Sequence, residues 1–192
     1  MIRETIVTTL NADDTVQIAP MGVRARGDQF IIAPFRPSTT LENLKRSGAA
    51  VINMTDDVRI FAGCLTGRYD WPTVPVQVIK GRRLQDPLSH IEVEVVRMEE
   101  DDTRPRFFCA VRNRETHRPF QGFNRAQHAV LEAAILVSRL HLLPADKIDA
   151  EIKYLQSAVD KTAGDAEREA WEWLLTRISE FRKQQAPKES LV

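Results

Sequence analysis

Only two cysteines, Cys64 and Cys109, stand in 192 residues. That is too few for a disulfide framework and fits reduced thiols in a cytoplasmic protein. No uninterrupted apolar run nears the roughly 20 residues that a membrane-spanning helix needs, and Met1-Ile2-Arg3-Glu4-Thr5 lacks a basic-then-apolar signal pattern. An excess of one charge is missing too. With 27 basic against 27 acidic residues, bulk charge draws the chain to neither nucleic acid nor membrane, so any anion site must come from local clustering. The eight glycines form no G-x-G-x-x-G, which excludes a Rossmann dinucleotide turn. Gly63-Cys64-Leu65-Thr66-Gly67 has no lysine after it and is no ATPase-type phosphate loop, and there is no G-x-S-x-G elbow. Histidines 90, 117, 128 and 141 show no ligand spacing with each other or with the cysteines, so no metal is expected. His128 and Glu132, one helical turn apart, read as a surface pair. Apolar residues at 43% and charged ones at 28% then describe an ordinary globular chain, neither collagen-like nor disordered.

What is present divides the chain in two. Residues 1–122 are rich in short β-branched segments broken by turn residues. Thr5–Leu10 and Thr15–Ala19, around Asn11-Ala12-Asp13-Asp14, read as a hairpin. Further strands are predicted at Gln29–Ala33, Ala49–Met54, Val74–Ile79, Ile91–Met98 and Arg106–Val111. Strands this short and frequent suggest an antiparallel barrel or sandwich. Between two of them, Pro37–Gly48 reads as a short helix with proline at its entry, Thr39 and Glu42 as a capping pair, and Gly48 at its exit. Residues 123–186 change to a period of 3.6. Asn124 with Gln127 resembles a capping box, and Ala126, Ala129, Val130, Ala133, Val137 and Leu140 form one apolar face. A second helix, after Pro144, carries Ile148, Ile152, Leu155 and Val159. A third, capped by Asp165, carries Trp171, Leu174, Ile178 and Phe181. Three helices with short loops favour antiparallel neighbours, and the polar tail 187–192 is expected to fray.

Four places could carry chemistry. Phe35-Arg36-Pro37-Ser38-Thr39-Thr40 sets a guanidinium and three hydroxyls where a strand gives way to a helix. Free amides at a helix start carry partial positive charge, so phosphate suits such a place. One cap needs only one hydroxyl, and the surplus argues for an anion site. In Ala19-Pro20-Met21-Gly22-Val23 the proline confines the strand to an edge or bulge, while the glycine permits close approach of a flat ring. Asn53, in the middle of a buried strand, needs partners that either the backbone or a ligand can supply. The six arginines from 104 to 125 read as a solvated basic edge, as a nucleic-acid surface, or as contacts to a cofactor's phosphate. Cys109, in an apolar strand, reads as an inert core thiol.

Thr8–Asp13, Ala19–Val23, Arg36-Pro37-Ser38-Thr39-Thr40-Leu41-Glu42-Asn43-Leu44 and Asn53–Asp57, followed by Asn124-Arg125-Ala126, Glu132 and Arg139, resemble the domain-of-unknown-function 447 family. The resemblance implies an α+β fold, a mainly antiparallel split β-barrel that binds flavin mononucleotide (FMN), with a C-terminal helical appendage and a homodimeric state. More distantly the chain is similar to flavin reductases. Carried over, Arg36, Ser38, Thr39 and Thr40 would hold the FMN phosphate. Asn43 and Asn53 would hold polar edges of the cofactor, and Met21, Gly22 and Val23 would flank its ring. The implied activity is an NAD(P)H-dependent reduction of flavin or pterin, with a small-molecule donor and acceptor. The alternative is a non-catalytic FMN carrier or sensor. Neither nucleic acid nor membrane is expected as a partner.

Overall fold

In the computed structural model, which describes residues 1–185, the expected hairpin comprises β1 (Ile2–Leu10) and β2 (Val16–Arg26). Its turn is held by the Asp13 carboxylate, which accepts from the Thr15 amide at 3.1 Å and from the Thr15 hydroxyl at 2.6 Å. β3 (Gln29–Ile32), β4 (Ala49–Met54), β7 (Ser89–Glu99) and β8 (Arg106–Thr116) complete a closed antiparallel barrel of order β1-β2-β3-β8-β7-β4. Closure comes from β4, which pairs with β1 through Ile6–Asn53, Val7–Ile52 and Thr8–Val51 and with β7 along its other side. Side chains alternate across each strand. Val7, Val23, Phe30, Ile32, Ile52, Val93, Phe107 and Cys109 therefore share the interior.

Helix α1 (Thr39–Ser47) bridges β3 and β4. Leu41 and Leu44, three residues apart on one face, are both 1% exposed and belong to the barrel core. Gly48 takes a left-handed φ of 66° and returns its amide to the Leu44 carbonyl, which ends the helix. The cap lies one residue earlier than the Thr39–Glu42 pair suggests: Ser38 is the N-cap, and its hydroxyl accepts from the Leu41 amide at 3.3 Å.

The predicted strand Val74–Ile79 shrinks to β5 (Thr73–Pro75), paired with β6 (Arg82–Leu84). Its remainder curls because the amides of Gln77, Val78 and Ile79 converge on the buried Glu92 carboxylate at 3.3, 2.8 and 2.9 Å. Three successive amides cannot meet one acceptor from an extended strand, where they point alternately.

The chain divides into two compact units, Met1–Asp56 with Tyr69–Gln121, and Asp57–Arg68 with the residues from Gly122 onward. The second unit holds α3 (Arg125–Val137), α4 (Ala145–Thr162) and α5 (Asp165–Gln185). Asn124 caps α3 as expected, accepting from the Ala126 amide at 2.7 Å. It also includes an unforeseen helix, α2 (Val58–Leu65), capped by Asp57. Val58 and Ala62 join Ala129, Ala133, Trp171 and Leu174 in one apolar cluster. Residues 187–192, expected to fray, lie outside the described residues. Among the described residues no helix is long and apolar enough to cross a membrane.

Candidate functional site

Past β3 the chain reaches α1 through Arg36, which does not extend into solvent. Its amide donates to the Thr103 carbonyl at 2.9 Å and its Nε to the Asp101 carbonyl at 3.0 Å, while Nη2 meets the Glu100 carboxylate. The guanidinium is thereby held against the turn between β7 and β8 through Nε and Nη2. Beside it, the Thr39 and Thr40 amides open α1 without intrahelical acceptors. The Ser38 hydroxyl accepts from Leu41 and keeps its own proton to donate. Thr39 is exposed and Thr40 buried. Arg36, Ser38 and Thr39 thus combine donors of the kind an oxyanion requires.

The same turn borders a cleft of about 370 Å³ on the outer side of the barrel, lined by Ile2, Gly22, Arg24, Ala33, Arg104 and Arg106, with Ile31 and Asp101 completing the wall. Asp101 links the two places, since its carbonyl anchors Arg36 and the residue faces the cleft. A volume of this order suits a cofactor-sized ligand. Gly22 forms part of the floor. A Cβ there would stand 3.0 Å from Ile2 Cγ2 and 3.3 Å from Glu4 Oε1, so the glycine keeps the cleft open. Met21 and Val23, its neighbours, turn toward the barrel core. β3 pairs with β2 only from Arg24 to Arg26, so Pro20 to Val23 form a stretch paired on the β1 side alone. Proline is tolerated there because its missing donor faces that open edge, and strand alternation aims the Gly22 main-chain groups the same way.

Asn43 lies one turn further along α1, and Asn53 in β4. The Asn43 amide donates to Thr9 Oγ1 at 3.0 Å and Asn11 Oδ1 at 2.8 Å, joining α1 to the first hairpin. Asn53 is wholly buried, donates to the Ile6 carbonyl at 3.0 Å and accepts from the Leu84 amide at 2.9 Å. Both are already bonded within the protein. The arginines of 104–118 are largely matched. Arg106 pairs with Glu99, Arg112 with Glu94 and Arg118 with Asp56, while Arg104 bonds the Ala33 carbonyl and lies 4.3 Å over the Phe35 ring. Arg24, Arg104 and Arg106 reach the cleft, and Arg24 carries no sequence signal beyond its charge. Burial pushes the Cys64 and Cys109 thiols up to about 12, so neither is a nucleophile at neutral pH.

Sequence comparison matches residues 3–118 to the model described as "Protein of unknown function (DUF447) N-terminal domain" and residues 124–176 to "Protein of unknown function (DUF447)". No curated protein matches the chain. Among solved structures, the fold is similar to an FMN-bound protein of Methanosarcina mazei assigned to the same model, with 22% identity, 92% of this chain and 94% of that one covered, and a TM-score of 0.79. It is similar to the styrene monooxygenase flavin reductase of Pseudomonas putida S12, with 13% identity, 60% of this chain and 80% of that one covered, and a TM-score of 0.53. Flavoredoxin of Desulfovibrio vulgaris (Miyazaki F) follows, with 14% identity, 60% and 70% coverage, and a TM-score of 0.51.

Proposed function

The chain belongs to the DUF447 family of proteins of unknown function, and from the cleft beside α1 we propose that it is an FMN-binding oxidoreductase. The observation that carries this reading is the junction at Asp101. There an oxyanion seat made by Arg36, Ser38 and Thr39 adjoins a cleft whose floor is kept open by Gly22. The FMN bound in the similar Methanosarcina mazei protein supports it.

In this reading Arg36, the Ser38 and Thr39 hydroxyls and the Thr39 and Thr40 amides hold the phosphate. Gly22 presents its main chain to the ring, with Met21 and Val23 shaping the strand from the core side. Arg24, Arg104 and Arg106 supply positive charge along the cleft. Asn43 and Asn53 act as supports that fix α1 and β4. Bound FMN would supply one- and two-electron redox chemistry that no side chain here offers. The electron donor is NADH or NADPH, and the acceptor a small molecule such as a flavin or pterin. Ile2, 56% exposed, and Phe35, 57% exposed, lie beside the cleft, and a second copy of the chain covering them makes the active form a homodimer.

Flavin titration followed by fluorescence quenching tests the reading. Arg36→Ala and Thr39→Ala should each weaken FMN binding by about 5- to 150-fold, the equivalent of about 1–3 kcal/mol for a charge-assisted bond. A colourless protein that takes up no FMN overturns it. The second reading, a carrier or sensor without turnover, is favoured by one observation: among the described residues that line the cleft there is neither histidine nor cysteine. Anaerobic bleaching of bound flavin by NADH or NADPH, at a rate fast enough for turnover, decides for the oxidoreductase.

A further inference from the structure

At the end of the barrel where β7 begins and β8 finishes, two histidines 27 residues apart come face to face. Cross-strand pairing sets His90 directly opposite Glu115. Just beyond β8, the His117 and Arg118 amides both donate to the Leu88 carbonyl, at 2.8 and 3.1 Å, which turns His117 toward His90. The rings meet edge to edge, with centroids 5.1 Å apart, planes 7° from parallel, and His90 Nδ1 2.8 Å from His117 Nε2. One ligand atom from each of His90, Glu115 and His117 falls within 4.8 Å of the others.

What lies behind His90 is equally specific. Its Nε2 is buried and has no hydrogen-bond partner among the described residues, and Glu92 Oε1 lies 3.7 Å from it. Glu92 is fully buried. Burial by itself would raise its pKa, but bonds from the Asn113 side chain and from the amides of residues 77–79 outweigh that and hold it ionised, below the usual carboxylate value. Burial lowers the pKa of both histidines, and each ring's surroundings add Arg83 in the same direction and Glu115 against it.

We propose that His90 Nδ1, His117 Nε2 and the Glu115 carboxylate bind one divalent transition-metal ion of the zinc type, with Glu92 orienting His90 from behind. Two ring nitrogens 2.8 Å apart share a single proton between them. An ion between them uses both lone pairs at once and assigns the remaining His90 proton to Nε2, toward Glu92. That is the carboxylate–histidine–metal arrangement. Two nitrogens and one oxygen form a borderline donor set that suits zinc or cobalt rather than magnesium or calcium. Tetrahedral bonds of 2.0–2.1 Å separate two ligand nitrogens by about 3.3 Å, so His117, which is only partly buried, swings out by about half an ångström. Arg83 opposes the ion, and Glu92 and Glu115 offset it.

The site is independent of the flavin reading. The test uses the full-length protein, stripped with a chelator and titrated with Zn²⁺ by calorimetry and with Co²⁺ by visible absorption. One ion should bind per chain. Glu115→Gln and His117→Ala, at partly exposed positions, should weaken it by at least about 100-fold, and Glu92→Gln by about 10- to 100-fold. His128→Ala should leave it unchanged, because His128 and Glu132 are an exposed pair 4.0 Å apart on the helical unit. Should a variant fail to fold, nitrogen NMR of the wild-type rings serves instead, with the His90 and His117 signals moving together on Zn²⁺ addition. Absence of saturable binding, binding indifferent to His117 and Glu115, or ring signals that stay still overturns the proposal.

Discussion

In the proposed phosphate seat Arg36 is the central residue, and its present partner is the Glu100 carboxylate, whose side chain is 70% exposed. An exposed ion pair of this kind is worth about 0–1 kcal/mol, so an incoming phosphate can displace it at small cost. Glu100→Gln removes the competitor while leaving the Arg36 bond to the Asp101 carbonyl. FMN affinity should rise by about two- to fivefold, the equivalent of that energy, in parallel titrations of variant and parent. A drop in affinity would instead identify Glu100 as the group that aims the guanidinium. Gly22 works by a different physics, through the absence of atoms. Its contribution is the space that Ile2 and Glu4 leave above it.

At the scale of elements, Asn53 fastens three strands with one side chain, donating to Ile6 of β1 and accepting from Leu84 of β6 while it sits in β4. Asn53→Ala leaves a buried carbonyl and a buried amide without partners and should cost about 2–3 kcal/mol in denaturant unfolding, with FMN affinity retained in the fraction that folds. An unfolding midpoint equal to the parent's would show that water replaces the amide. Helices α3, α4 and α5 were legible because each alternates an apolar face with polar residues and carries a cap or stop. α2 was not, because Val58-Arg59-Ile60-Phe61-Ala62-Gly63-Cys64-Leu65 is apolar nearly all round and offers no phase to read. The stretch after β5 has strand composition but obeys Glu92, a residue made 13 to 15 positions later. The proposed phosphate seat rests on local surplus polarity at Arg36–Thr40 that the sequence shows directly, whereas the Arg24–Arg104–Arg106 cleft and the His90–Glu115–His117 cluster exist only once distant strands pair.

For the whole molecule, buried ionisable groups set the pH range of stability. His90, His117 and Glu92 all have lowered pKa values in the fold, so the unfolded chain binds protons first as pH falls and stability declines. The decline begins below about pH 6.5 for the histidines and steepens below about 4.5 for Glu92. The thiols have the opposite sign. Cys64 and Cys109 are raised from 9.0 to about 12, so above pH ~9 the unfolded chain loses protons that the folded one keeps, and stability falls again. Thermal melts of chelator-treated protein should show a plateau between about pH 7 and 9 with both flanks descending, and a midpoint still climbing from pH 7 down to 5 would contradict this. The placement of α2 bears on biosynthesis. Its packing partners, α3 and α5, leave the ribosome only after the entire barrel sequence has been translated. At about 5–20 residues per second, Val58 and Ala62 wait ~5–20 s for Trp171, and for that interval the nascent polypeptide offers a chaperone a ready-made oily handle.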